Sequence, residues 1–354
     1  YRPRAQRVAV VGAGPAGLAV SHFLARKGYP VTVFEAWALP GGVMAYGIPE
    51  YVLPQQVIDR EVARLEALGV EFRTGVRVGR DLTLDELLQT YDAVFVGTGA
   101  NEPATLGIPG EELEGVWTAK EFLMRVQASQ MADRLADRLP AEEMSPPRVG
   151  RRVAVVGAGN TAMDAARTAR RLGADEVTVV YRRDEAQSPS RPVEIDHAKT
   201  EGVRFQYLVN PVRFLGDEAG RLRAMELIRM ELGPPDGSGR PRPVPVPGSE
   251  FRMPVDTVIV AVGYAPEREL AARGGLATTS WGGLVVDEAT GATSRPGVFA
   301  AGDCVTGAKT VIHAIAGARR AAEAMERYLE ARGAGHAVWP PAPQTRDPQA
   351  LLRR

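Results

Sequence analysis

Gln6–Lys27 reads QRVAVVGAGPAGLAVSHFLARK, and Arg151–Arg171 reads RRVAVVGAGNTAMDAARTARR. Both stretches open on β-forming residues, pass through closely spaced glycines and continue in a helical pattern. In the first, Arg7 to Val11 is the expected strand, Gly12, Gly14 and Gly17 form the turn, and Leu18 to Arg26 form the helix. That is the context a GxGxxG dinucleotide fingerprint requires. Gly12 permits the turn, Gly14 lets backbone approach a pyrophosphate, and Gly17 lets the helix pack on the strand. Pro15 and Ala16 complete the loop, and the phosphates are expected on the positive end of the helix. The next strand, YPVTVFE, ends at Glu35, where an acid that bonds a ribose 2'-hydroxyl is expected.

The later copy keeps the frame. Its strand is Arg152 to Val156, its loop carries Gly157, Gly159, Asn160, Thr161 and Ala162, and its helix runs to Arg171. It reads as a second dinucleotide site. The strand that follows, EVTVVYRR, aligns with PVTVFEA, so Tyr181 takes the place of Glu35 and Arg182 that of Ala36. A carboxylate there repels a 2'-phosphate, whereas a guanidinium offers it a planar fork of donors. Arg182 and Arg183, with Arg191 beyond a short loop, therefore point to NADP rather than NAD. A solvent-facing charge run at a strand end is the competing reading; the substitution falls at the discriminating position, which favours the phosphate. The first copy suits an adenosine with a free 2'-hydroxyl, as in FAD.

Composition narrows the class. The 354 residues are 45% hydrophobic and 24% charged, ordinary globular material long enough for more than one domain. Lys plus Arg and Asp plus Glu each total 43, so no net charge favours nucleic acid or an anionic membrane surface. Val8 to Val20 and Thr257 to Val262 are too short to cross a bilayer. No signal-peptide pattern opens the chain, and a soluble cytoplasmic protein is expected; Tyr1 stands where a methionine would begin, leaving room for upstream residues. Cys304 is the single cysteine, which excludes an internal disulfide, a CxxC redox pair and a four-thiolate cluster. Redox chemistry therefore needs a bound cofactor, and Cys304 reads as an inert buried thiol. His22, His197, His313 and His336 lack metal-ligand spacing.

From Arg7 to about Leu329 the sequence resembles the FAD- and NADPH-binding part of the small (β) subunit of NADPH-dependent glutamate synthase and its homologues. That family is akin to the pyridine nucleotide-disulfide oxidoreductases and to adrenodoxin reductase. The resemblance rests on GAGPAGL, LPGGVMAYGIPEYVLP, GVEFRTGVRVGRD, YDAVFVGTGA, IPGEELEGV, GAGNTAMDAARTARRLGA, VTVVYRRDE, DTVIVAVGY and GVFAAGDCVTGAKTVIHAIAGAR. It implies an α/β fold of two Rossmann-like domains in the glutathione reductase-like arrangement, the NADPH domain inserted into the FAD domain. It also implies FAD contacts from Gly41, Gly42, Val43, Val78, Thr98 and Gly99, and NADPH contacts from Val262 and Gly263. Asp303, after Gly302, is placed on the ribityl chain of FAD. Thr310 and Val311 open a helix whose positive end is expected near the pyrimidine of the flavin. His313 lies in that helix and reads as a packed or solvated residue.

The expected division is FAD domain 1–103, connector helix and linker 104–150, NADPH domain 151–274, FAD domain again 275–330, and a tail 331–354. The proline-rich run GPPDGSGRPRPVPVPGSE reads as a hairpin loop or flexible excursion of the NADPH domain. The flavin carries the chemistry, so no catalytic side chain is expected. Hydride is expected to pass from NADPH to FAD and electrons onward to an iron-sulfur protein, a ferredoxin, a large subunit or another acceptor such as a quinone or dye. Complete small subunits of this family carry a cysteine-rich N-terminal cluster domain that this sequence does not contain; either that domain was lost or removed, or a separate protein takes the electrons. A ferredoxin-NADP reductase of the adrenodoxin reductase type and a non-catalytic flavoprotein scaffold are the alternatives.

Overall fold

The computed structural model of the chain describes residues 3–237, 239–335 and 339; His336 and most of the expected tail lie outside these. The chain forms two compact units. Residues up to Glu102, and again from Tyr264, build the first; Pro103–Ala136 and Pro140–Gly263 build the second.

Each unit is organised on a five-stranded parallel sheet. In the first the spatial order is Val298–Ala300, Ala93–Val96, Val8–Val11, Val31–Glu35, Glu71–Thr74. The central strands read VAVV and AVFV without polar interruption because both faces are covered. Alternation divides them: Val8 and Val10 face the helices Pro15–Ala25 and Val311–Gly333, while Ala9, Val11, Val94 and Val96 face Leu84, Leu87, Leu270 and Leu284. The two helices approach closely because small residues line the contact, with Ala318 and Ala321 fully buried. Trp339, from the expected tail, packs edge-on against Phe299 and Tyr328 at 5.0 and 5.3 Å.

In the second unit the order is Val116–Thr118, Thr257–Val260, Arg152–Val156, Glu176–Tyr181, Arg204–Tyr207. Val153, Val155, Val177 and Val179 face the helices Ala119–Gln130, Asn160–Arg171 and Pro192–Thr200. Ala154, Val156, Val180 and Val258 face Phe214, Met225 and Leu227 of a separate antiparallel sheet. Residues 104–150, expected as a connector, are part of this unit. Val116–Thr118 supplies its edge strand, and Phe122 and Leu123 lie in its core at 0 and 2% exposure. Thr118 starts the helix through a capping box with Glu121. The chain returns to the first unit at Tyr264, ahead of the expected 275. The proline-rich run forms the end of an antiparallel hairpin, in which Met230 pairs with Pro245 and Pro235 with Pro241.

The glycine at position 17 is a packing requirement. A Cβ there would lie 1.9 Å from the carbonyl oxygen of Gly12. Gly17→Ala is expected to lower stability by about 1–3 kcal/mol, because backbone rather than a flexible side chain must yield. At the equivalent place in the second unit Ala162 is fully buried, and Ala162→Gly is expected to cost about 1 kcal/mol through helix propensity alone. Denaturant unfolding of the two variants checks the order.

Candidate dinucleotide sites at the two glycine loops

Where the strand Val8–Val11 ends, the Gly12 N–H donates to the Phe34 carbonyl at 2.8 Å. Gly12 takes φ +96°, and a Cβ on it would lie 2.5 Å from the Gly97 carbonyl oxygen. Gly14 differs. Its φ of −76° and ψ of −174° suit any residue, and a Cβ there would find nothing closer than the Gly42 Cα at 4.0 Å. Neither dihedral nor packing among the described residues requires glycine at 14, which leaves room for a ligand to approach the backbone there. The helix that follows has Pro15 in its first turn and no side-chain cap, leaving N–H groups available for an anion.

Loops from neighbouring strands close around this point. Gly41 donates to the Ala13 carbonyl at 2.9 Å, and Gly42, at φ +55°, comes so near that its Cβ would be 2.8 Å from the Gly14 Cα. Val43, which begins a short helix, is 48% exposed. Glu35 is buried, its Oε2 accepting the Ala13 N–H at 2.7 Å and its Oε1 the Trp37 N–H at 2.8 Å. Burial pushes its carboxyl above the usual range against the pull of those N–H groups. Thr98 and Gly99 follow the strand Ala93–Val96 in the same loop as Gly97, which abuts Gly12. Gly302, at φ +84°, brings its backbone against Ala16, with a built Cβ 3.0 Å from the alanine's. Asp303 next to it accepts the Lys309 N–H at 3.2 Å, and burial raises its carboxyl. Thr310 bonds His313 Nδ1 at 2.7 Å at the start of the long helix, with Val311 half-buried beside it. Val78 packs in the core with Phe34. Cys304 is buried beneath the Val96 carbonyl, and burial pushes its thiol up to about 11.

The second loop repeats the geometry. The Gly157 N–H donates to the Val180 carbonyl at 3.0 Å, and a Cβ on Gly157 would lie 2.2 Å from the Ala261 carbonyl oxygen. Gly159, at φ −81° and ψ 175°, again needs no glycine for itself; its nearest neighbour would be Pro189 Cγ at 3.8 Å. The hydrogen bonds to Phe34 and Val180 make Glu35 and Tyr181 structurally equivalent. Thr161 and Ala162 lie in the uncapped first turn of the helix Asn160–Arg171. A strap crosses this loop: Ser188 Oγ donates to the Ala158 carbonyl at 2.7 Å, and Asn160 Oδ1 accepts from Ser190 Oγ at 2.9 Å and from the Arg191 N–H at 3.1 Å. Val262 is 40% exposed, and Gly263 at φ +120° has open space around it.

The three arginines read from the sequence part company. Arg182 is exposed and has no carboxylate partner among the described residues. Arg191 donates to Glu194 at 2.5 Å. Arg183 is buried; its Nη2 meets Asp236 at 2.9 Å and its Nε the Pro241 carbonyl at 2.9 Å, so its donors are turned to the hairpin. That hairpin also carries Arg240, which reaches Tyr181 Oη at 3.0 Å. Sequence reading missed Arg240 because it sits in a segment read as an excursion; the signal was the basic GRPR core of that run.

Behind the strap lies a charged cluster. Arg167, 9% exposed, meets Glu194 at 3.3 Å and Glu201 at 2.9 Å. Asp164 on the same helix has its carboxyl pushed up to about 7, first by burial and then by Glu194, against Arg167 and Arg191.

Two dinucleotide-type glycine loops in one chain, one beside a buried acid and one beside a tyrosine followed by exposed Arg182, are the arrangement of a nucleotide-linked oxidoreductase. The comparisons agree. Residues 6–319 match the family described as pyridine nucleotide-disulphide oxidoreductase, and the chain belongs to it. It is accordingly a flavin oxidoreductase that uses NAD(P)H. It is 45% identical over 324 residues to the NADP(+)-dependent formate dehydrogenase subunit beta of Moorella thermoacetica, covering 92% of this chain and 44% of that protein. It is 38% identical to the glutamate synthase [NADPH] small chain of Escherichia coli, covering 92% and 69%. Among solved structures, Mycobacterium tuberculosis FprA in complex with NADPH shares the fold at TM-score 0.78 and 21% identity, over 99% of this chain and 89% of that one. Lactococcus lactis thioredoxin reductase does so at TM-score 0.68 and 21% identity, over 92% and 99%. The chain spans about half the length of the most similar of these curated relatives.

Two outcomes test the site. Gly14→Ala is expected to leave the unfolding transition of the flavin-free protein within about 0.5 kcal/mol of wild type, yet to weaken retention of FAD on gel filtration. For Asp164, a folded-state pKa above its ordinary value of 3.8 means that its stabilising contribution is complete at low pH and is lost as pH rises through about 7. Stability should therefore fall across that window with a slope of up to ~1.4 kcal/mol per pH unit from this group. Asp164→Asn should remove that slope in chemical denaturation followed by pH.

Proposed function

We propose that the chain is an FAD-dependent NADPH:acceptor oxidoreductase that takes hydride from NADPH and passes electrons to an iron-sulfur partner. The carrying observation is the contrast at one equivalent position: Glu35, buried and held by two N–H groups, against Tyr181, flanked by exposed Arg182.

In this reading the first unit holds FAD, its pyrophosphate on the loop of Gly12, Gly14 and Gly17 and its ribose hydroxyls at Glu35. Gly41, Gly42, Thr98, Gly99, Gly302 and Asp303 wall the site, with Thr310 and Val311 at the positive end of their helix. When bound, FAD accepts a hydride and releases electrons to the acceptor. The second unit binds NADPH on Gly157, Gly159 and Asn160, with Arg182 and Arg191 supplying charge for the 2'-phosphate and Arg183 tethering the hairpin. The Ser188–Arg191 strap orients the loop and shields it from water. Cys304 takes no part, since its thiol is buried and held neutral. Electron exit to a partner is supported by the nature of the relatives, which are named as a formate dehydrogenase subunit, a glutamate synthase small chain and an NADPH-Fe(3+) oxidoreductase subunit. The cytoplasm, where NADPH is held reduced, is the setting this activity needs. Among the described residues no helix is long and apolar enough to cross a membrane.

Purified yellow protein mixed with NADPH without oxygen should bleach, as followed by absorbance; persistent colour would overturn the proposal. Arg182→Ala should weaken NADPH binding by about ten- to a hundredfold, or ~1.5–3 kcal/mol, while leaving NADH binding nearly unchanged. Titration with both nucleotides gives the comparison.

A further inference from the structure

The hairpin of the second unit ends on the position that discriminates between nucleotides. Its arms, Leu222–Pro235 and Pro241–Pro245, are joined by a turn in which the Asp236 N–H donates to the Arg240 carbonyl at 2.8 Å. Buried Arg183 clamps this tip to the end of the strand Glu176–Tyr181 through Asp236 and the Pro241 carbonyl. The clamp carries Arg240 to Tyr181, 59 residues earlier in the chain. There one nitrogen, Nη2, donates both to Tyr181 Oη at 3.0 Å and to the Gln187 carbonyl, and the tyrosine hydroxyl donates to the same carbonyl at 3.0 Å.

We propose that Arg240 is a specificity-determining residue of the second site, a guanidinium delivered by the hairpin to the 2'-phosphate of NADPH. The inference rests on the NADPH reading of that site and adds to it a residue from outside the glycine-loop motif.

Three observations carry it. The first is position. Tyr181 is the structural equivalent of Glu35, by the matching bonds from Gly157 to Val180 and from Gly12 to Phe34. Arg240 is thus anchored to the side chain of the residue at the position from which the 2' substituent of an adenosine is read. The second is valence. A guanidinium has five N–H donors in a plane. Nη2 uses its two on Tyr181 and Gln187, which fixes the plane, and the Nε and Nη1 donors, on separate sides of the group, have no hydrogen-bond partner among the described residues. Each can give a charge-assisted hydrogen bond to a phosphate oxygen. The third is charge. Arg183 is neutralised by Asp236 and Arg191 is engaged by Glu194, whereas half-buried Arg240 has no carboxylate partner among the described residues. A cation held partly out of water without a counter-ion is a site prepared for an anion.

The test uses the full chain and two probes, adenosine 2',5'-bisphosphate and AMP, which differ only in the 2'-phosphate and need no hydride transfer. Binding is measured by calorimetry for wild type, Arg240→Gln and Arg240→Lys. The expected result is a loss of about ten- to a hundredfold for the bisphosphate in Arg240→Gln, with AMP unchanged within about twofold. A smaller loss, also confined to the bisphosphate, is expected in Arg240→Lys, which keeps the charge but not the fixed plane of N–H donors. The salt dependence of bisphosphate binding should become shallower in Arg240→Gln. Equal weakening of both probes would make Arg240 only a clamp for the Gln187 loop and overturn the inference, as would no change in either. Wild type binding the two probes equally would instead remove the NADPH reading beneath it. If Arg240→Gln fails to fold, the Arg240→Lys comparison alone decides, since a purely structural role would not separate the probes.

Discussion

The architecture depends on carbonyl groups meeting glycines that have no Cβ. At the end of the central strand in each unit a glycine turns the chain, and the carbonyl of the adjacent parallel strand occupies the space its side chain would fill: Gly97 against Gly12 at 2.5 Å, Ala261 against Gly157 at 2.2 Å. This contact seals the carboxyl edge of the sheet between the two strands. It also sets the following helix so that its first N–H groups, uncapped by any side chain, point away from the sheet. An anion completes what the fold leaves open. The middle glycines, 14 and 159, are required by neither dihedral nor packing among the described residues, which is what a loop approached by a nucleotide needs.

The duplication visible in the sequence extends to whole sheets, though not to their order along the chain. In both units the glycine strand is central, flanked on one side by the strand ending at Glu35 or Tyr181 and on the other by Ala93–Val96 or Thr257–Val260. The outermost strand beyond that comes from the end of the chain in the first unit, at Val298–Ala300, and from before the glycine strand in the second, at Val116–Thr118. One hydrogen-bonded edge accepts either solution because parallel pairing requires only direction and register, not a particular connection. This is why residues 104–150, with their helical spacing, looked like a connector. A strand of three half-buried residues, VWT, is too short to show a period of two, and its partner lies far along the chain.

What was legible in the residues follows the range of the interactions. The buried parallel strands and the glycine helices declare themselves because their requirements are local: unbroken apolar runs, a turn, a helical stripe. The equivalence of Glu35 and Tyr181 was legible for the same reason, since it needs only alignment from the glycines. Arg183 shows where this stops. Its neighbour Arg182 is exposed and Arg183, just past the end of the strand, is buried, because its partner Asp236 comes from a hairpin 53 residues on. Arg240 was hidden behind the same long-range pairing. The prolines of its hairpin discourage a strand assignment, yet Pro243 and Pro245 lie on the arm beyond the tip, paired on one side only.

In the proposed reading the two adenosine corners are opposite solutions to one electrostatic problem. Glu35 is buried, and the N–H groups of Ala13 and Trp37 that it accepts oppose the burial that raises its carboxyl, favouring the ionised form that would meet a phosphate. A 2'-phosphate brought beside it would add like charge where little water remains to screen it. Two unit charges 4 Å apart at an effective dielectric of 20 repel by about 4 kcal/mol, several hundredfold or more in affinity. Removing the acid is therefore the first requirement for accepting the phosphate, and Tyr181 meets it with a neutral hydroxyl. Adding cations is the second requirement, and their placement matters as much as their number. Arg183, adjacent in sequence, is consumed in holding the hairpin, and the hairpin in turn presents Arg240 without a counter-ion. A motif read along the strand thus supplies the geometry, while the cation proposed to meet the phosphate arrives from a hairpin joined to that strand by an ion pair and a few hydrogen bonds.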